Sequence, residues 1–116
     1  MKIYDSKNYF APLFRYPCII IEDDGYIYKE EDLLKPFPQP IGKIEWETGK
    51  IFGGDYYKMF REPIGLIKQC GNVTMIYGKE YYHFLEQPIG YIKDRKYYTA
   101  EDYFRLFGTP TFYIEE

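Results

Sequence analysis

Pro40-Ile41-Gly42-Lys43-Ile44, Pro63-Ile64-Gly65-Leu66-Ile67 and Pro88-Ile89-Gly90-Tyr91-Ile92 are three copies of one phrase. Two looser copies flank them, Pro17-Cys18-Ile19-Ile20-Ile21 and Pro110-Thr111-Phe112-Tyr113-Ile114. Every copy places an Ile at the same distance from its Pro: Ile21, Ile44, Ile67, Ile92 and Ile114. Self-similarity at a period of about 23 residues marks a repeat architecture, in which each unit buries its apolar face against its neighbours.

Cutting the chain at each Pro gives repeats 17–39, 40–62, 63–87 and 88–109, with half-repeats 1–16 and 110–116 at the ends of a single domain, 1–116. Each repeat opens with a short strand that starts at Pro, whose missing N–H is tolerated there. A polar or Gly-bearing turn follows: Glu22–Gly25, Glu47–Gly49, Cys70–Asn72 or Asp94-Arg95. A second strand comes next, at Tyr26–Tyr28, Lys50–Phe52, Met75–Tyr77 or Lys96–Tyr98. Two β-rich runs joined this way read as a hairpin.

The repeat then turns helical. An acid opens the segment, Asp32, Asp55, Glu80 or Asp102, where a carboxylate caps free N–H groups and meets the helix dipole favourably. Apolar residues follow at helical spacing: Tyr56, Met59, Phe60; Tyr81, Phe84, Leu85; Tyr103, Leu106, Phe107. That spacing predicts one buried helical face over about two turns. In repeat 17–39 the face is Leu33, Pro36 and Phe37, with Pro36 shortening the helix. The fold class is mainly β with short helices, built from β-β-α repeats.

Gly42, Gly65 and Gly90 lie two residues before Ile44, Ile67 and Ile92, so alternation puts Gly and Ile on one face of the strand. A recurring Gly there implies close approach by a backbone or a bulky aromatic. The residue between them varies (Ile20, Lys43, Leu66, Tyr91, Tyr113), which implies a less buried face.

The two ends complete each other. Lys2-Ile3-Tyr4 matches a second strand, and Asn8-Tyr9-Phe10 matches a helix start, with Leu13 or Phe14 closing its face. Residues 110–116 match a first strand alone. Together the fragments make about one repeat length. The expectation is a closed pseudo-five-fold ring or barrel, its fifth unit completed by pairing of the N- and C-terminal segments. Closure hides strand edges that an open stack would expose. An open stack, or strand exchange between two molecules, are the alternatives.

Composition narrows the function classes. The chain has 116 residues, 22% of them aromatic, with 15 Tyr and 9 Phe, and a net charge of −3. That balance argues against a duplex nucleic-acid partner, which calls for a basic face, and against an acidic membrane partner. Cys18 and Cys70 have no Cys-x-x-Cys spacing, so no metal is expected. No apolar run resembles a signal peptide or a membrane span, and a cytoplasmic location is the default expectation.

Catalytic chemistry finds little to stand on. His83 is the only histidine, at a position that Lys35, Lys58 and Arg105 hold in sister repeats, so it reads as a surface residue. No phosphate-binding Gly loop is present, and no cofactor is expected. The acids Glu22, Asp23, Asp24, Glu30, Glu31 and Asp32 read as a solvated turn and a capped segment start. Residues that break the repeat are more telling. Trp46 is the only Trp, and Tyr91 and Tyr113 occupy the variable strand position. These three are the candidate ligand or partner surface, since exposed aromatics stack on sugars, bases or protein.

The run Ile89-Gly90-Tyr91-Ile92-Lys93-Asp94-Arg95-Lys96-Tyr97-Tyr98 is similar in texture to bacterial choline-binding repeats. Those repeats use a fixed Gly-Trp pair and no helix, so choline or cell-wall binding is not inferred. The leading expectation is a non-enzymatic binding or scaffolding module with a protein partner or self-association. The alternatives are a saccharide-like ligand held by Trp46 and exposed tyrosines, and then an enzyme using carboxylates.

Overall fold

Ten short strands close into one antiparallel barrel: β1 (Lys2–Asp5), β2 (Ile19–Ile21), β3 (Tyr26–Lys29), β4 (Gly42–Glu45), β5 (Lys50–Phe52), β6 (Gly65–Cys70), β7 (Val73–Tyr77), β8 (Gly90–Lys93), β9 (Lys96–Thr99) and β10 (Phe112–Glu115). The computed structural model describes residues 1–10 and 16–116, so the expected contacts of Leu13 and Phe14 lie outside the described residues. Every strand pairs with its neighbours in sequence, and β1 pairs with β10 through Lys2↔Glu115, Ile3↔Ile114, Tyr4↔Tyr113 and Asp5↔Phe112. The ring closes within one chain, and its fifth hairpin is the pair of terminal strands.

The repeat phrase sets the register. Ile21, Ile27 and Gly42 lie side by side across β2, β3 and β4. Four equivalent rows follow: Ile44, Ile51, Gly65; Ile67, Ile76, Gly90; Ile92, Tyr97, Phe112; and Ile114, Ile3, Ile19. Each row begins at the phrase Ile and ends two residues after the next Pro. The register therefore slips by two residues at every unit, which is the stagger a closed barrel requires. These rows face inward. Gly42 and Gly65 each press on a neighbouring strand's backbone carbonyl, of Phe52 and Tyr77, while Gly90 lies under the Tyr97 ring. A Cβ at any of the three would overlap its neighbour.

Turn chemistry fixes the hairpins. Gly49 takes φ +79° to close β4 onto β5, and Asp94 and Arg95 take φ 53° and 62° between β8 and β9. Two successive left-handed residues match the right-handed twist of the flanking strands.

The connections between hairpins leave the barrel and return as petals, giving a flat molecule of 46 × 43 × 19 Å. They are less helical than the spacing predicts. Helix appears as single turns, α1 (Ser6–Tyr9) and α2 (Ala100–Tyr103), and as a 3-10 turn over Glu30–Leu34. Residues 55–60 and 80–85 form tight turns, closed by Lys58 N–H donating to the Asp55 carbonyl and His83 N–H to the Glu80 carbonyl. The reason is geometric. A petal must return to a strand ~4.8 Å from the one it left, whereas each further helical turn would carry the chain ~5.4 Å outward. Asp102 sits just inside the start of α2 and Thr99 is the N-cap: its hydroxyl accepts from the Asp102 N–H at 3.3 Å and donates to the Asp102 carboxylate at 3.2 Å.

In three petals the first aromatic packs on the outer barrel wall. Tyr9 stacks on Tyr113 with centroids 4.4 Å apart, Tyr103 stacks on Tyr91 at 4.3 Å, and Tyr56 meets Tyr26 edge-on at 5.6 Å. Arg61 fixes its petal by lying 4.6 Å over the Phe52 ring and pairing with Glu45 at 2.9 Å. The buried residues thus divide into two shells. Ile21, Ile44 and Ile114 line the inside; Tyr4, Phe52 and Tyr91 sit between barrel wall and petals. The variable strand position is half-buried at Ile20, Lys43, Leu66 and Tyr113, and Tyr91 is the exception: it is 9% exposed, because Tyr103 covers it.

Candidate functional site

Two features of the molecule stand apart from ordinary packing: a hollow lumen and a crown of exposed petal tips. The lumen follows from strand number. About eight strands leave an interior just wide enough for side chains to fill. With ten strands and an inner wall mostly of Ile and Gly, the middle stays open. The cavity has a volume of ≈ 870 Å³. Its wall is the set of inward rows, dominated by Ile, with Tyr97 and Phe112 as the aromatic members. No described side chain falls below 2% exposure, which is what a hollow core produces.

The rim at the hairpin-turn end is polar. Trp46, Gln69 and Glu116 continue inward positions two residues beyond Ile44, Ile67 and Ile114, and Thr74 and Arg95 lie opposite Ile92 and Ile114. Trp46 is 47% exposed, and its indole N–H donates to the Asp23 carbonyl at 3.0 Å, so the ring is fixed to the turn of the preceding hairpin. Arg95 is the departure here, because the matching inward positions before Ile27 and Ile51 are Gly25 and Gly49. Read from the sequence, Arg95 falls only in a turn; the period-two spacing from Tyr97 is the signal that could have placed it on the inner face.

The candidate residues Trp46, Tyr91 and Tyr113 do not share a surface. Trp46 lines the lumen rim, while Tyr91 and Tyr113 stack under petals on the outer wall. Tyr97, whose position in the ring is otherwise held by Ile, does line the cavity. Burial pushes its phenol pKa above the ordinary 10.0.

The petals repeat one surface pattern. An inward aromatic is followed by an outward one set edge-on to it: Tyr9–Phe10, Tyr56–Tyr57, Tyr81–Tyr82 and Tyr103–Phe104, with interplanar angles of 81–86°. Beyond them come Leu34 and Phe37, Met59 and Phe60, Phe84 and Leu85, Leu106 and Phe107, all strongly exposed, up to 91% at Phe60 and 97% at Phe84. Of the residues that helical spacing assigned to a buried face, Phe37, Met59, Phe60, Phe84, Leu85, Leu106 and Phe107 are therefore strongly exposed, while Leu33, Tyr56, Tyr81 and Tyr103 are half-buried.

Tip charges are locally balanced. Lys35 pairs with Asp32 at 2.9 Å and Arg105 with Glu101 and Asp102, while the His83 ring lies 3.7 Å from the Glu80 carboxylate. Glu80, His83 and Glu86 bring ligand atoms within 4.8 Å of one another, but they face solvent, where such groups are common without an ion. The acids Glu22, Asp23 and Asp24 form an exposed turn. The Glu45 carboxyl is held below its ordinary range by its hydrogen bond to Arg61. Cys18 and Cys70 are exposed free thiols.

Among the described residues no helix is long and apolar enough to cross a membrane. No protein-family model, curated protein or solved structure matches the chain.

Proposed function

We propose that the protein is a non-enzymatic interaction module that self-associates through its petal tips, with a second copy of the chain as the partner. The carrying observation is the recurrence of large exposed apolar side chains at every described tip. Taken at ~150 Å² per aromatic side chain, Phe37, Phe60, Phe84 and Phe107 alone offer about 600 Å², and Leu34, Met59, Leu85 and Leu106 add to it, on the scale of the roughly 800 Å² per partner of a standard interface. The molecule is 19 Å thin, so the tips lie in one slab. A partner that meets them all must repeat around the same ring, and a second copy does. The paired tip charges bring no net field against association, and none that would draw a polyanion.

The saccharide reading draws no support from three aromatics that face different ways. A carboxylate enzyme calls for a carboxyl held high, and Glu45 is held low.

Sedimentation velocity at low and high micromolar concentration tests the proposal. The expected result is a concentration-dependent dimer that Phe60→Ser/Phe84→Ser/Phe107→Ser abolishes while the circular dichroism spectrum is kept. A monomer at both concentrations, or a dimer indifferent to the three substitutions, overturns it.

A further inference from the structure

We propose that the lumen is a binding site for one small molecule with an alkyl tail and an acidic head group. The tail would lie among the inward Ile rows, and the head would meet Arg95. This site is independent of the petal tips.

The argument starts from the empty volume. Protein interiors are packed like organic crystals, and voids larger than a water are few. A cavity of ≈ 870 Å³ is far outside that rule and falls within the ~300–1,000 Å³ of small-molecule pockets. Its wall includes Ile27, Ile51, Ile67, Ile76 and Ile92, none fully buried, so water reaches a ring of aliphatic carbon. Removing apolar surface from water is the main favourable term in association, and this wall offers it without any rearrangement of the fold. Rigid walls add to the effect. The rows are held by barrel hydrogen bonds, so a ligand loses little to ordering the protein.

Ligand class follows from the lining. The wall is aliphatic, which suits an alkyl tail better than a sugar or a nucleobase. The polar rim at one end gives the ligand a direction. Arg95, in the β8–β9 turn, is a charged side chain that lines the lumen opposite Ile114, in the sector of Tyr97 and Phe112. Among the described residues no ion pair includes Arg95 or Lys68. Glu47 and Glu116 share the rim, and Glu116 lies beyond Ile114, further out than Arg95. Arg95 and the Met1 ammonium, which is tied to the Ile21 carbonyl at 2.8 Å, are thus the cations at inward positions that a head group tethered to a buried tail encounters. A guanidinium takes a carboxylate in a bidentate fork.

Decanoate is the probe, with 1-decanol as its uncharged counterpart. Trp46 at the rim is the only Trp, so its fluorescence reports on the lumen entrance. Calorimetry and Trp46 fluorescence should show one decanoate bound per chain. Ile76→Phe fills the lumen and should weaken both probes at least about tenfold. Thr74→Phe narrows the rim and does the same should Ile76→Phe fail to fold. Arg95→Gln should weaken decanoate severalfold and leave decanol unchanged. The Phe60→Ser/Phe84→Ser/Phe107→Ser variant should bind as the wild type does. Absence of saturable binding overturns the site. So does binding that survives both lumen substitutions, or that disappears with the tip substitutions. Equal loss of decanoate and decanol in Arg95→Gln, or no loss of either, overturns the head-group assignment.

Discussion

The ring of Tyr97 on β9 lies across Gly90 on β8, so that any side chain at residue 90 would fall inside the phenol. Gly42 and Gly65, at the same place in sister repeats, press instead on backbone carbonyls. One glycine position in the sequence therefore answers two different steric demands.

This difference is measurable in a double-mutant cycle. Gly90→Ala should destabilise by about 1–3 kcal/mol through overpacking. Adding Tyr97→Leu should recover part of that loss, a coupling of at least about 0.5 kcal/mol between touching residues. Gly42→Ala should gain nothing from Tyr97→Leu, since its obstacle is the Phe52 carbonyl. Urea unfolding of the four variants provides the comparison.

Tyr97 also sets an alkaline limit. Burial raises its folded pKa above the ordinary 10.0, so the fold favours the neutral phenol. That contribution is fully present below pH 10.0 and is lost as the pH rises through the raised folded value. Tyr97→Phe should therefore narrow the loss of stability above pH 10.0, measured by thermal unfolding across an alkaline series.

Exposed and buried aromatics should separate sharply under substitution. Phe60→Ser and Phe84→Ser, at tips 91% and 97% exposed, should change monomer stability by no more than about 0.5 kcal/mol. Phe52→Ala, at 5% exposure beneath Arg61, should cost about 3–5 kcal/mol. Chemical denaturation at a concentration low enough to keep the protein monomeric makes the test.

Closure rests on β10. Deleting residues 110–116 removes the partner of both β1 and β9 and bares two strand edges. The truncated chain should lose its cooperative melt and associate. A sharp melt at the wild-type temperature from a monomer would contradict the role of the terminal pair.

The barrel was legible because its geometry repeats. Inward positions recur every second residue, and the stagger makes every Pro-to-Ile phrase enter the ring in the same way. Closure could be read from the ends for the same reason. The petals were not legible. Tyr56, Met59 and Phe60 have the spacing of a buried helical face, but a petal has no second layer beyond it to bury that face against. The exposed tips mimic core in composition alone. Tyr91 went astray in the opposite sense. Its position varies because each petal covers the outer wall with its own residues, and Tyr103 is a close match for a ring. Trp46 belongs to the lumen by simple alternation from Ile44, a signal masked by its neighbouring turn.

The row Ile114, Ile3, Ile19 joins the last strand to the first two, and its timing differs from that of every other row. The other hairpins are local and can form within microseconds of each other. The β1–β10 pair must wait until the whole intervening chain has been made and ordered, and it bears the largest loop-closure entropy in the molecule. A nascent chain therefore passes through a stage in which the hairpins are built but the ring has a gap. During that stage the Ile wall and two free edges face the solvent together. The rate at which this one seam fastens sets how long the protein is vulnerable to its own copies.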